Sequence, residues 1–181
     1  MKRVAVVDGG MMVDDSYHVS CKRDGKTGDY LLVDWKGVTA GWLLVDMTRT
    51  ECMLVVLNSK RETVLVVKRA RSQAVKATIL VPRGALGNGR KGMAVYGNIN
   101  QVTSACETIY EARSATGVEI MHARPAGFPR CLEVIKANKR VATIESKQAT
   151  IHASVQACAI EQDVLVIIGL MLATCIPVGI A

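Results

Sequence analysis

Five short runs rich in Val and Leu, at residues 3–7, 30–34, 41–46, 52–57 and 63–68, are separated by clusters of turn-forming residues such as RDGKTGD (23–29) and NSKRE (58–62). β-branched side chains sit well on a pleated surface, while Gly, Asp and Asn ease chain reversal. This spacing therefore predicts short strands rather than helices over the N-terminal part of the chain. The runs at 52–57 and 63–68 read as a hairpin across a charged five-residue connection. A further run, Thr78 to Val81, leads into Pro82, which has no N–H to give and ends the ladder there.

Beyond Pro82 the pattern changes. Residues 85–92 are dominated by Gly, Asn, Arg and Lys and predict a flexible loop. A helix is expected next. Val102, Ala105, Cys106, Ile109 and Ala112 recur at helical spacing, Asn100 stands as N-cap, and Gly117 stands where a left-handed C-terminal residue belongs. Glu107 and Glu111 then share the opposite face. The later segments GVEIMHARP, LEVIKANKRVATIE and ATIHASVQA read as strands or short helices that periodicity does not separate. Residues 164–181 carry no charge and as a helix would reach roughly 27 Å, marginal for a bilayer. Gly169, Pro177 and Gly179 interrupt this stretch, and Glu161 and Asp163 precede it. A buried terminal element or an interface with a partner chain is expected in preference to a tail anchor. Short strands, a hairpin, one helix and an apolar C-terminal segment together indicate an α+β fold.

The net charge of +7 is concentrated. Residues 60–91 hold nine Lys/Arg against one acid, whereas the segments on either side are close to balanced. This belt, Lys60, Arg61, Lys68, Arg69, Arg71, Lys76, Arg83, Arg90 and Lys91, points to an anionic partner such as RNA, a nucleotide or an acidic protein. Aromatic residues make up 4% of the chain, so stacking platforms for bases are not expected and any RNA contact falls mainly on phosphates. The six cysteines are scattered singly, with no zinc-ligand spacing, and read as thiols of a reducing intracellular compartment, cytoplasmic or mitochondrial. The apolar run near the N-terminus is too short for a secretory signal. His18, His122 and His152 stand in no nucleophile motif.

The segment VVLNSKRETVLVVKRARSQAVKATILVPRGALGNG (55–89) resembles Nudix hydrolases of the ADP-ribose and nucleoside-diphosphate-sugar pyrophosphatase branch. Arg71 matches the Arg that follows a strand in that branch, and Pro82 and Gly84 match its Pro-x-Gly. The resemblance implies a mixed β-sheet sandwiched by helices over residues 49–181, preceded by a strand extension over 1–48 used in docking or dimerisation. Gly84, Gly87 and Gly89 would form the signature loop. The family's metal-binding acids are mostly missing: Arg90 stands at the first Glu position, and counting back from Gly117 places Glu111 at one acid position but Ser114 and Ala115 at two others.

The resemblance thus implies a degenerate, non-catalytic binding or structural subunit of a larger assembly, and the basic belt would dock it on RNA or on an acidic partner. In that reading Arg69, Arg71, Arg83, Arg90 and Lys91 hold the anion, and no cofactor is needed. The alternative is a divergent pyrophosphatase acting on ADP-ribose or a related nucleotide sugar, with Glu107 and Glu111 as catalytic residues and ligands to Mg²⁺. Protein partners are expected on the N-terminal strands and the apolar C-terminus, a second copy of the chain among them, and a membrane is not.

Overall fold

The computed structural model describes residues 4–5, 12–13, 18–23, 30–33, 38–83, 92–127, 130–147, 150–155 and 161–177. Two short strands, β1 (Val4–Ala5) and β2 (Met12–Val13), pair with each other. The next twelve close into one antiparallel barrel. They are β3 (His18–Arg23), β4 (Tyr30–Val33), β5 (Thr39–Met47), β6 (Glu51–Asn58), β7 (Thr63–Ala70), β8 (Lys76–Pro82), β9 (Met93–Thr103), β10 (Thr108–Ser114), β11 (Glu119–Pro125), β12 (Cys131–Lys136), β13 (Lys139–Lys147) and β14 (Thr150–Val155). Each strand lies beside its neighbours in sequence, and the one long-range pairing, β14 with β3, closes the ring. Closure removes the exposed edges that an open sheet of this length would present.

Alternation along each strand sorts the side chains. On β8, Ala77, Ile79 and Val81 are buried in the core, while Lys76 is exposed and Thr78 and Leu80 lie between these extremes. The same parity puts Leu54 and Val56 of β6, Leu65 and Val67 of β7, and Ile99 of β9 inside. The core-facing residues are apolar, whereas the outer face is mixed and carries Lys68, Lys76 and Glu145 together with exposed Leu44 and Val95.

A barrel of about eight strands is narrow enough for its own side chains to fill, so one of twelve needs additional material inside. The C-terminal helix α1 (Glu161–Cys175) supplies it. Every residue from 163 to 173 is buried, including Val164, Ile167, Ile168, Leu170, Met171 and Leu172. Successive residues advance about 100° around a helix, so such a run leaves no face to solvent. At Gly169 the helix passes so close to the wall that an added Cβ would lie 2.8 Å from Ile79 Cδ1.

Both ends of α1 are tied to the wall. Lys136 Nζ lies 2.6 Å from Asp163 Oδ1, and the carboxylate sits in the first turn, where the helix dipole favours it. At the other end the buried Arg69 donates through one terminal nitrogen to the carbonyl of Ile176 at 3.1 Å. Helix C-termini present unpaired carbonyls, and a guanidinium is suited to them.

The expected α+β Nudix architecture is therefore corrected: among the described residues no sheet is sandwiched between helix layers, and their single helix lies within a closed barrel. The helix expected over 100–117 is a β-hairpin. β9 runs to Thr103, a turn follows, and β10 pairs with β9 from Thr108↔Thr103 to Ser114↔Gly97. In the turn, Ser104 Oγ accepts from the backbone N–H of Cys106 and of Glu107. The helical spacing is an accident of two strands joined by a four-residue turn: Ala112 is buried, but Val102 is 41% exposed and Cys106 lies on the surface. Gly117 has φ +86° in the β10–β11 turn rather than at a helix end. The residue types shared with Nudix enzymes are those of turns and strand ends, which many β topologies require. The boundary expected at 48/49 falls in the turn between β5 and β6.

The expected hairpin at 52–57 and 63–68 is present as β6 and β7. Asn58, 1% exposed, organises its turn, its side-chain oxygen accepting from the backbone N–H of Lys60 and Glu62. The ambiguous segment LEVIKANKRVATIE is the hairpin β12–β13, turning through Ala137 (φ 46°) and Asn138 (φ 61°). Two consecutive left-handed residues make a type I′ turn, which suits Asn but strains Ala. Ala137→Gly is expected to raise stability by about 1 kcal/mol, read as a higher midpoint in chemical denaturation.

Candidate functional site: an outer cationic groove

A groove of about 670 Å³ crosses the outside of the barrel over β6 to β10. Register builds it from rows of side chains. In one row Lys68 of β7 lies opposite Thr78 of β8, Thr78 opposite Asn98 of β9, and Asn98 opposite Arg113 of β10. In the next row Lys76 faces Asn100, and Asn100 faces Glu111. Beyond the first row, on the other side, Leu80 pairs with Val95 and forms an apolar shelf, Val95 being 47% exposed.

The cations are not equivalent. Arg113 is engaged: its Nε donates to Glu111 Oε2 at 2.9 Å, a second nitrogen contacts the same oxygen at 2.8 Å, and a third donates to the Gly117 carbonyl. Lys68 and Lys76 are exposed and have no ion-pair partner among the described residues. They stand on adjacent strands at diagonal positions about 7–8 Å apart, so their long stems can reach one anion together. Among the described residues, Glu51 is the one carboxylate lining the groove.

The structure disperses the rest of the basic belt. Lys60 and Arg61 lie in the β6–β7 turn, Arg61 stacked 3.9 Å over the Trp42 ring, about 20 Å along β7 from Lys68. Arg71 clamps the β5–β6 turn, donating from its side chain to Thr48 O and from its backbone to Thr50 O. Arg83, just after Pro82, bonds from its backbone to Gly92 O and from Nε to Met93 O, pinning the two ends of the β8–β9 connection. Gly84, Gly87, Gly89, Arg90 and Lys91 lie outside the described residues.

Arg69 faces the lumen. Burial pushes its guanidinium below the ordinary value, and its Nε has no hydrogen-bond partner among the described residues. Around it stand Cys52, directly opposite in register, Tyr110 and Cys175. Burial raises all three of these groups, and it pushes Cys21, on β3, up to about 12, so the cysteines among them are packing thiols rather than nucleophiles.

Glu107 and Glu111 share no helical face. Glu107 sits in the exposed turn, and Glu111 lies on β10 bound to Arg113. Among the described residues no group of three His, Cys, Asp or Glu is placed to hold a metal ion. Ser20 Oγ and His152 Nδ1 lie 2.6 Å apart across β3 and β14, but Ser20 is 4% exposed, so the pair acts as a clasp on the closing seam.

Thr78, Asn98, Asn100 and Arg113 were not legible as site residues. The signal for two of them is the order Asn98-Ile99-Asn100, polar residues at alternate positions around a buried Ile, which is a strand period. No family model matches this chain, and no curated protein is significantly similar to it.

Proposed function

We propose that this chain is a non-enzymatic docking subunit whose outer groove holds the phosphate backbone of an RNA within a larger assembly. The observation that carries the reading is the pair Lys68 and Lys76, exposed, without ion-pair partners among the described residues, and side by side in the groove. A phosphodiester is a small, acceptor-only anion, and two ammonium groups within reach of it release condensed counterions on binding. Thr78 adds an uncharged polar group that helps to position the backbone. The closed wall is a rigid support for such a site, since every strand is paired on both sides.

The test is fluorescence anisotropy with a labelled single-stranded RNA across a salt series. The unmodified protein is expected to bind with a steep salt dependence. Lys68→Ala with Lys76→Ala should weaken binding about tenfold and reduce the slope of log K against log salt by about two. Lys60→Ala with Arg61→Ala, at the far end of β7, should change little. Binding without salt dependence, or unaffected by the groove pair, defeats the proposal.

A further inference from the structure

The groove carries more than charge. Next to the lysines it presents two amides whose donors have no partner among the described residues, and beside these an exposed aliphatic shelf. Asn98 Oδ1 accepts a hydrogen bond from the Thr78 hydroxyl at 3.0 Å. That bond fixes which way the amide faces and leaves both Nδ2 hydrogens without a partner among the described residues. Asn100, one turn of the pleat further on, makes no side-chain hydrogen bond among the described residues, so its donor and its acceptor are both open. Leu80 and Val95 lie on the other side of Asn98.

A bare phosphate chain has no use for an apolar shelf or for an amide acceptor. A nucleotide does, because its base offers a flat apolar face and an edge of mixed donors and acceptors, while its phosphate lies within a few ångströms of the sugar. From Leu80 to Lys76 the strand spans four residues, about 13 Å, a distance that the lysine stems shorten to the dimensions of one nucleotide. Among side chains, an Asn amide is matched to paired donor and acceptor groups on a base edge.

We infer that the groove holds a base of the RNA as well as its phosphates, the base lying on Leu80 and Val95 with Asn98 and Asn100 on its edge. This rests on the RNA-docking reading above. Lys68 and Lys76 then set affinity, and the two asparagines separate RNA from other polyanions of equal charge. The contact needs no aromatic platform, because the shelf covers one face of the base and the amides hold its edge.

The decisive experiment compares three labelled probes on the full chain at one salt concentration: oligouridylate, an oligomer of the same length with the bases removed, and inorganic polyphosphate. Oligouridylate is expected to bind about tenfold more tightly than the abasic oligomer. Asn98→Ala with Asn100→Ala should abolish that difference while leaving abasic and polyphosphate binding unchanged. Circular dichroism of the variant confirms that the barrel is intact, and Val95→Asp, a surface change on the shelf, should reduce the same difference independently. Equal binding of all three probes, or an undiminished preference in the asparagine variant, overturns the inference and leaves the docking reading standing. Failure of every probe to bind overturns both.

Discussion

Alanine substitution at Ile167, Ile168, Leu170, Met171 and Leu172 is expected to destabilise the protein at every one of the five positions. Each side chain is at most 1% exposed, and together they span about 200° of the circumference of α1, wider than the face a helix buries when it packs on one side only. Truncating a buried Leu, Ile or Met costs about 2–5 kcal/mol, the lost transfer free energy plus a term for the void that remains. A helix packed on the outside of a barrel would behave differently. Two of the five would then point to solvent and tolerate Ala, with a period of three to four residues in the data. Chemical denaturation of the five single variants distinguishes the cases, and one position that loses less than about 0.5 kcal/mol contradicts enclosure of the helix. Leu170→Asp should not yield folded protein, since the side chain is fully buried within the apolar core cluster, where a carboxylate would lose its hydration.

The second large effect is expected in the wall. Gly41 of β5 pairs with Asn58 of β6, and a Cβ built on Gly41 would lie 2.1 Å from the carbonyl oxygen of Leu57. Backbone cannot swing aside as a side-chain tip can, so Gly41→Ala must part β5 from β6 or bend one of them. The register already shifts nearby, between Leu32 and Val33 and between Val56 and Leu57, so the strands pass this point on irregular paths. A loss of about 3 kcal/mol or more is expected, with Gly41→Val worse. A thermal midpoint for Gly41→Ala within a degree of the unmodified protein would show that the wall yields there at little cost.

Arg69 illustrates how a stability role and a binding role separate. From its place in a run of lysines and arginines it reads as one more surface cation. Its neighbours in β7 explain why it is not: Leu65 and Val67 point inward, and strand parity carries residue 69 to the same side. There it meets the C-terminal carbonyl of α1, an interaction of about 1.5–3 kcal/mol for a charged donor. Lys68, one residue away, takes the opposite face and enters the groove.

Much of the wall was legible because local chemistry decides it. The runs at 30–34, 41–46, 52–57, 63–68 and 78–81 coincide with β4 to β8, since β-branched residues and turn clusters act over a few residues. The segment at 100–117 was misread because a pair of short strands around the Ser104–Glu107 turn can mimic a helical period over a dozen residues. The Nudix resemblance failed for a related reason, its matching residues being those that end strands in many folds.

By itself, the sequence determined where β4 to β8 run, that the basic excess lies between residues 60 and 91, and that residues 164–181 are apolar enough to require burial. Only the tertiary structure decided that the strands close on themselves through β14 and β3, residues more than a hundred apart, and that the apolar segment fills the space so enclosed. It alone decided which cations meet. Register between strands places Lys68 beside Lys76, with Asn98 and Asn100 next to them, and sends Arg69 inside. Register is set by cross-strand packing over the whole ring, and no window of neighbouring residues contains that information.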